Sequence, residues 1–224
     1  MGSRRPRAPR PGGLVYWVIR TFTRLVETVL TRPVIVGRDH VPRSGGLLVV
    51  SNHASNADPV ILLAEMPRPL SFMTKDELFR PRLVRAFLRL WRGAFPVQRG
   101  KIDVAALRDA LDLVREGHPV VLFPEGTRHT DGLGQAHPGV AYLATRAQCP
   151  VLPVGIVGSD AMQNIWCLRN RPRFEVHFGE PFFVSDQTGN LSDVLNLIMG
   201  RVAALLPPER RGVYRELDER VAVS

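Results

Sequence analysis

Two short runs in this 224-residue chain hold residue types that do chemistry at useful spacing. Asn52-His53-Ala54-Ser55-Asn56-Ala57-Asp58 offers an imidazole with a carboxylate five positions later, the pairing that general-base catalysis needs. Phe123-Pro124-Glu125-Gly126-Thr127-Arg128 offers a turn-forming glycine beside a guanidinium, the materials of a phosphate clamp. Of the six histidines, only His53 has an Asp five positions on. A His-x4-Asp match alone says little, whereas the hexapeptide is specific, and the two together in this order are strong.

A short turn between His53 and Asp58 lets the carboxylate accept the imidazole Nδ1–H, which fixes the tautomer and leaves Nε2 as base. No Gly-x-Ser-x-Gly nucleophile elbow is present, so a covalent serine intermediate is not indicated and His53 is expected to act as a base on a bound hydroxyl. Gly126 permits close backbone approach, and Arg128 can grip a phosphate with two parallel N–H bonds. Glu125, a poor phosphate partner by charge, is expected to orient Arg128 or an acceptor hydroxyl. His118, His129, His137, Cys149 and Cys167 show no metal-ligand spacing, so no metal is expected, and His129 and His137 read as loop residues.

The two runs resemble the blocks of the glycerolipid acyltransferase family, whose bacterial members acylate lysophosphatidic acid. His53 and Asp58 match its His-x4-Asp block. Gly93-Ala94-Phe95-Pro96-Val97-Gln98-Arg99 is similar to its second block, although many members carry Asp where Gln98 stands. Phe123 to Arg128 match the third block, and Leu152-Pro153-Val154-Gly155-Ile156 match the fourth. The resemblance implies transfer of a fatty acyl group from acyl-CoA or acyl carrier protein, as co-substrate, to the free hydroxyl of lysophosphatidic acid. His53 and Asp58 would be catalytic, while Arg99, Glu125, Gly126, Thr127 and Arg128 would bind the substrate phosphate. It implies no cofactor. Acylation of another lysolipid or a glycolipid, a non-catalytic lipid-binding role, and a metal-dependent hydrolase using His53 and Asp58 as ligands stay open at this point.

Composition narrows the partners. A hydrophobic fraction of 45% in 25.0 kDa is enough for a single sizeable core. Two cysteines argue against a disulfide scaffold. The net charge is +9, and Lys75 and Lys101 are the only lysines among 30 basic residues. Such a chain is drawn to anionic surfaces. The basic residues are dispersed and no aromatic-plus-basic recognition module appears, so an anionic membrane surface is expected and nucleic acid is not. No secretory signal and no charge-free apolar run of spanning length is visible, which predicts a peripheral protein at the cytoplasmic face of the membrane.

The elements that must position these residues alternate. Residues 1–13, with four Arg, three Pro and three Gly, read as a disordered basic arm. Residues 14–30 carry apolar side chains at helical spacing, opposite Arg20, Thr23, Arg24 and Glu27. This predicts an amphipathic helix that lies in a membrane interface, packs on its own domain, or does both. Residues 31–224 are expected to form the acyltransferase domain that the resemblance implies. Strands are expected at 33–37, 46–50, 70–74, 94–97, 119–123, 151–157 and 174–178. Helices are expected at 58–65, with Asp58 as N-cap, and at 81–91, 102–115, 140–147 and 191–206. The alternation predicts an α/β fold, a largely parallel mixed sheet flanked by helices, with both motifs at its carboxyl edge.

Overall fold

The computed structural model describes residues 11–75, 94–97, 103–162, 169–184 and 189–217. Residues 1–10 of the basic arm expected over 1–13, the helix expected at 81–91, Gln98 and Arg99 lie outside the described residues. The elements in chain order are α1 (Leu14–Leu30), β1 (Arg32–Val36), β2 (Leu47–Ser51), α2 (Asp58–Glu65), β3 (Ser71–Lys75) and β4 (Ala94–Val97). They continue with α3 (Val104–Arg115), β5 (Pro119–Leu122), α4 (Gly139–Ala147), β6 (Val151–Val157), β7 (Arg173–Phe178) and α5 (Leu191–Ala204).

Seven strands form one sheet in the order β1-β7-β6-β2-β5-β3-β4. All neighbours pair in parallel except β6 and β7. The expected fold class, a largely parallel mixed sheet flanked by helices, is the one found. β2 is the middle strand, with β5 on one side and β6 on the other. Its sequence, LLVVS, is buried at every position, as a strand covered on both faces must be.

The alternation of side chains along β2 divides the core in two. Leu48 and Val50 join a cluster with Leu113, Val120, Leu143, Ile198 and Met199, contributed by β5, α3, α4 and α5. Leu47 and Val49 join the opposite cluster with Tyr16, Leu62, Leu152 and Phe174. Burying a large aliphatic side chain contributes about 1.5–3 kcal/mol, so this double-sided packing rigidifies the strand from which His53 emerges.

α1 has the predicted bounds, but it is mounted with its polar stripe inward. It packs on α2. Tyr16 and Arg20 are buried; the Tyr16 hydroxyl accepts Leu70 N–H at 2.8 Å, and Arg20 Nε donates to Met66 O at 2.9 Å. Glu65 of α2 is paired with Arg24 at 3.6 Å and Arg38 at 3.5 Å. Burial, with Glu65 alongside, pushes the Glu27 carboxyl up to about 9. The apolar stripe faces outward, where Leu14, Val18, Phe22, Leu25 and Val29 are each about 60–80% exposed. Among the described residues, no helix is long and apolar enough to cross a membrane.

Candidate active site

β2 ends at Ser51, β5 at Leu122 and β6 at Val157, all three pointing the same way. The loops leaving them meet at the carboxyl edge of the sheet, where open α/β folds place their ligands. His53 leaves the middle strand, and residues 123–128 leave its neighbour.

His53 Nδ1 lies 2.8 Å from Asp58 Oδ2. The same oxygen accepts the backbone N–H groups of Ala54 and Ser55, each at 2.8 Å. An oxygen taking two amide donors is an acceptor for the third as well, so Nδ1 carries the hydrogen and Nε2 holds the lone pair. Asp58 is fully buried, while the His53 side chain is 14% exposed. The ring stacks on Phe123, with centroids 4.4 Å apart and planes inclined by 25°. The imidazole therefore has one face packed, one nitrogen tied and one nitrogen available.

Asp58 does this work from a position other than the expected one. The N-cap of α2 is Ala57, with no side-chain cap bond, and Asp58 is the first helical residue, with Pro59 after it. Its carboxylate turns back over the preceding loop and closes the turn from Ala54 to Asp58. The missing cap is affordable because Pro59 has no N–H to satisfy.

Glu125 is not in contact with Arg128, one of the two partners expected for it. It is 3% exposed, and its two oxygens accept His53 N–H at 2.9 Å and Gly134 N–H at 2.7 Å. Burial raises its carboxyl above the usual value, opposed by those two bonds and by His129 and His53 nearby. Its hydrogen-bond partners are thus backbone amides rather than Arg128. It is a strut joining the His53 loop to the loop after β5. A second bond, His129 N–H to His53 O at 2.8 Å, reinforces the joint.

Gly126 adopts φ +65°, and a Cβ there would fall 2.9 Å from the His137 ring. Any other residue would pay both for the left-handed backbone and for the collision. The resulting turn sends Thr127 and Arg128 outward, and both side chains are exposed. Among the described residues, no hydrogen bond or ion pair holds the Arg128 guanidinium. Arg99, expected to share its task, lies outside the described residues. His129 and His137 are loop residues, as read.

Asn52, which brings no acid–base chemistry to the motif, has a structural role. Its side-chain amide donates to Ile156 O at 2.8 Å, and its side-chain oxygen accepts Ile156 N–H at 2.7 Å. The carboxamide imitates a peptide group and pins the end of β2 to β6. This also gives the fourth block its purpose: Leu152 to Ile156 form the wall against which the His53 loop is braced. An Asn directly before the His, facing an apolar strand rich in Val, is a signal only pairing information can interpret. Among the described residues, no group of His, Cys, Asp or Glu is arranged to hold a metal ion.

A doubly covered sheet thus carries a His–Asp pair and an arginine-bearing turn together at its carboxyl edge. The sequence profile of the acyltransferase family matches residues 32–157, more than half of the chain, and the chain belongs to that family. It is 34% identical to a probable 1-acyl-sn-glycerol-3-phosphate acyltransferase of Mycoplasma genitalium, over 56% of this chain and 49% of that one. It is 24% identical to the 1-acyl-sn-glycerol-3-phosphate acyltransferase of Bacillus subtilis, over 68% of this chain and 74% of that one. The chain spans about half the length of the Mycoplasma relatives it matches. Its fold is similar to the crystal structure of the 1-acyl-sn-glycerophosphate acyltransferase PlsC from Thermotoga maritima. That match has a TM-score of 0.63 at 23% identity and covers 82% of this chain and 76% of the other.

Proposed function

We propose that the protein transfers a fatty acyl group from a thioester, acyl-CoA or acyl carrier protein, to the free hydroxyl of lysophosphatidic acid, giving phosphatidic acid for phospholipid synthesis. The observation that carries this reading is the His53 imidazole, tied at Nδ1 by buried Asp58 and joined through Glu125 to the loop that presents Arg128. The names of the relatives point to the same acceptor.

In this reading His53 Nε2 takes the proton of the acceptor hydroxyl as its oxygen attacks the thioester carbonyl. The imidazolium is stabilised by Asp58. The tetrahedral oxyanion collapses, the C–S bond breaks, and the proton passes from Nε2 to the departing sulfur. One C–O bond has formed, one C–S bond has broken, and His53 returns to its starting state. General-base assistance of this kind contributes about 10²–10⁴-fold. Arg128 holds the acceptor phosphate, a charge-assisted contact suited to its planar fork.

The substrate resides in a bilayer, and the outward stripe of α1 supports a reading in which the protein lies on one. Leu14, Val18, Phe22, Leu25 and Val29 present a continuous apolar surface. The arginines of residues 1–10 supply attraction to anionic headgroups, about 1 kcal/mol for each basic residue near the surface. The protein would be peripheral, at the cytoplasmic face.

The test is lipid mass spectrometry after incubation with mixed lysolipids and acyl thioesters on anionic vesicles. Phosphatidic acid should form from lysophosphatidic acid, and replacing the exposed Val18, Phe22 and Leu25 of α1 by Ser should reduce activity on vesicles more than on detergent-dispersed substrate. Absence of transfer to lysophosphatidic acid from either thioester class, or transfer unaffected by His53→Ala, would overturn the reading.

A further inference from the structure

The loop that carries Arg128 is fastened at two ends. The near end is held by the His53 and Glu125 contacts described above. The far end is held by a segment that lies beyond the family match, the short turns at Pro208–Arg210 and Gly212–Leu217. Leu133 N–H donates to Arg210 O at 3.0 Å, and Val213 N–H donates to Leu133 O at 3.1 Å. Ala136 N–H donates to the Tyr214 hydroxyl at 3.0 Å. Arg210 Nη1 donates to Thr130 O, while its Nη2 pairs with Asp160, just past β6, at 2.9 Å. The two segments touch so closely that a Cβ on Gly212, whose φ is +49°, would fall 2.1 Å from Leu133 O.

This strap is itself well anchored. Tyr214 is 5% exposed and belongs to the core cluster under α3, α4 and α5. Arg211 Nε donates to Leu206 O at 2.9 Å, behind the end of α5. Its contacts reach Thr130, Leu133 and Ala136, on both sides of Gly134, whose amide is held by Glu125.

We propose that the 210–214 strap is a positioning element for acceptor recognition, with Tyr214 and Arg210 setting the loop that aims Arg128. This rests on Arg128 holding the acceptor phosphate. The guanidinium is exposed and has no partner of its own among the described residues, so its direction is inherited from the backbone that bears it. A loop ordered in advance loses less freedom on gripping an anion than one that must be ordered at binding. Neither Tyr214 nor Arg210 need touch the lipid for this.

The experiment is a double-mutant cycle on the full chain, read as KM and kcat for lysophosphatidic acid. Tyr214→Phe removes one hydrogen-bond acceptor and keeps the ring, and should raise the acceptor KM about 3–10-fold with kcat within twofold. Arg210→Met removes the Thr130 and Asp160 contacts and should act in the same direction. In an Arg128→Ala background both effects should shrink to within twofold, because the residue they aim is gone. Amide exchange at Ala136 should quicken in Tyr214→Phe, showing that the protein is folded and the strap loosened. Strap variants with unchanged KM, or with the same KM increase in the Arg128→Ala background, would overturn the proposal. The headgroup reading fails separately, through Arg128→Ala leaving the acceptor KM unchanged; in that outcome the strap has no Arg128 to aim and its proposal falls too.

Discussion

The two halves of the site differ in how much is settled before any ligand arrives. The His53 half is closed: a buried carboxylate with three donors on one oxygen, a stacked aromatic ring, and a carboxamide brace to the next strand. The Arg128 half is open, with an exposed guanidinium on a turn whose backbone alone is fixed. Moving a proton requires one nitrogen at one angle, and a fraction of an ångström decides the rate. Gripping a phosphate requires access, and the ligand itself supplies the missing partner. Under the proposed function, rigidity is concentrated where geometry would set the rate, and openness where the substrate would enter.

The largest effect should come from the closed half. His53→Ala should lower kcat by about 10³–10⁴-fold with little change in acceptor KM, and Asp58→Asn should follow by about 10²–10³-fold through loss of the tautomer and of imidazolium stabilisation. Activity of His53→Ala within tenfold of the parent would erase the contrast between the halves.

The open half should respond in the other constant. Arg128→Ala should raise the acceptor KM about 10²-fold, with a smaller loss in kcat, since a charge-assisted contact made in ground state and transition state alike is lost. Arg128→Lys should recover only part, because an ammonium lacks the paired donors of the fork. Equal kcat losses with unchanged KM would place Arg128 in the closed half instead.

A smaller effect, away from the site, sharpens the distinction between rigid and adjustable regions. The Glu27 carboxyl titrates at about 9 in the folded chain against an ordinary 4.5, because burial disfavours its charge beside Glu65. The folded state therefore keeps a proton that the unfolded chain releases, so stability falls as pH rises between about 4.5 and 9. Arg24 tempers this without reversing it. Glu27→Gln should flatten the pH dependence of thermal unfolding in that window, its benefit growing toward pH 9. An identical shift in Tm at pH 5 and pH 9 would show that Glu27 is not the titrating group.

Much of this was legible in the residues. Strand and helix positions from Pro33 to Leu206 fell within a residue or two wherever they are described, because apolar runs and breakers such as Gly117 and Pro207 mark them locally. Local pattern stopped short where the decisive partner is distant in the chain. Asp58 looked like a helix cap, and only the folded loop shows it turning back toward His53. Glu125 looked like a companion of Arg128 because they are neighbours in sequence, yet its amide partners sit at His53 and Gly134. The helix over 14–30 was legible as amphipathic, but which stripe it turns inward depends on Glu65, Met66 and Leu70, dozens of residues away.

The Asn52 carboxamide carries a consequence for how the site breathes. Ile156 N–H donates to a side chain rather than to a neighbouring strand, so that amide opens to solvent only when the Asn52 rotamer lets go. This flank of the His53 loop is thus fastened to β6 by a side-chain amide rather than by a further rung of the backbone ladder. Hydrogen exchange at Ile156 becomes a local clock for the loop: slow while Asn52 holds, and in Asn52→Leu fast even though the strands behind it remain as protected as before.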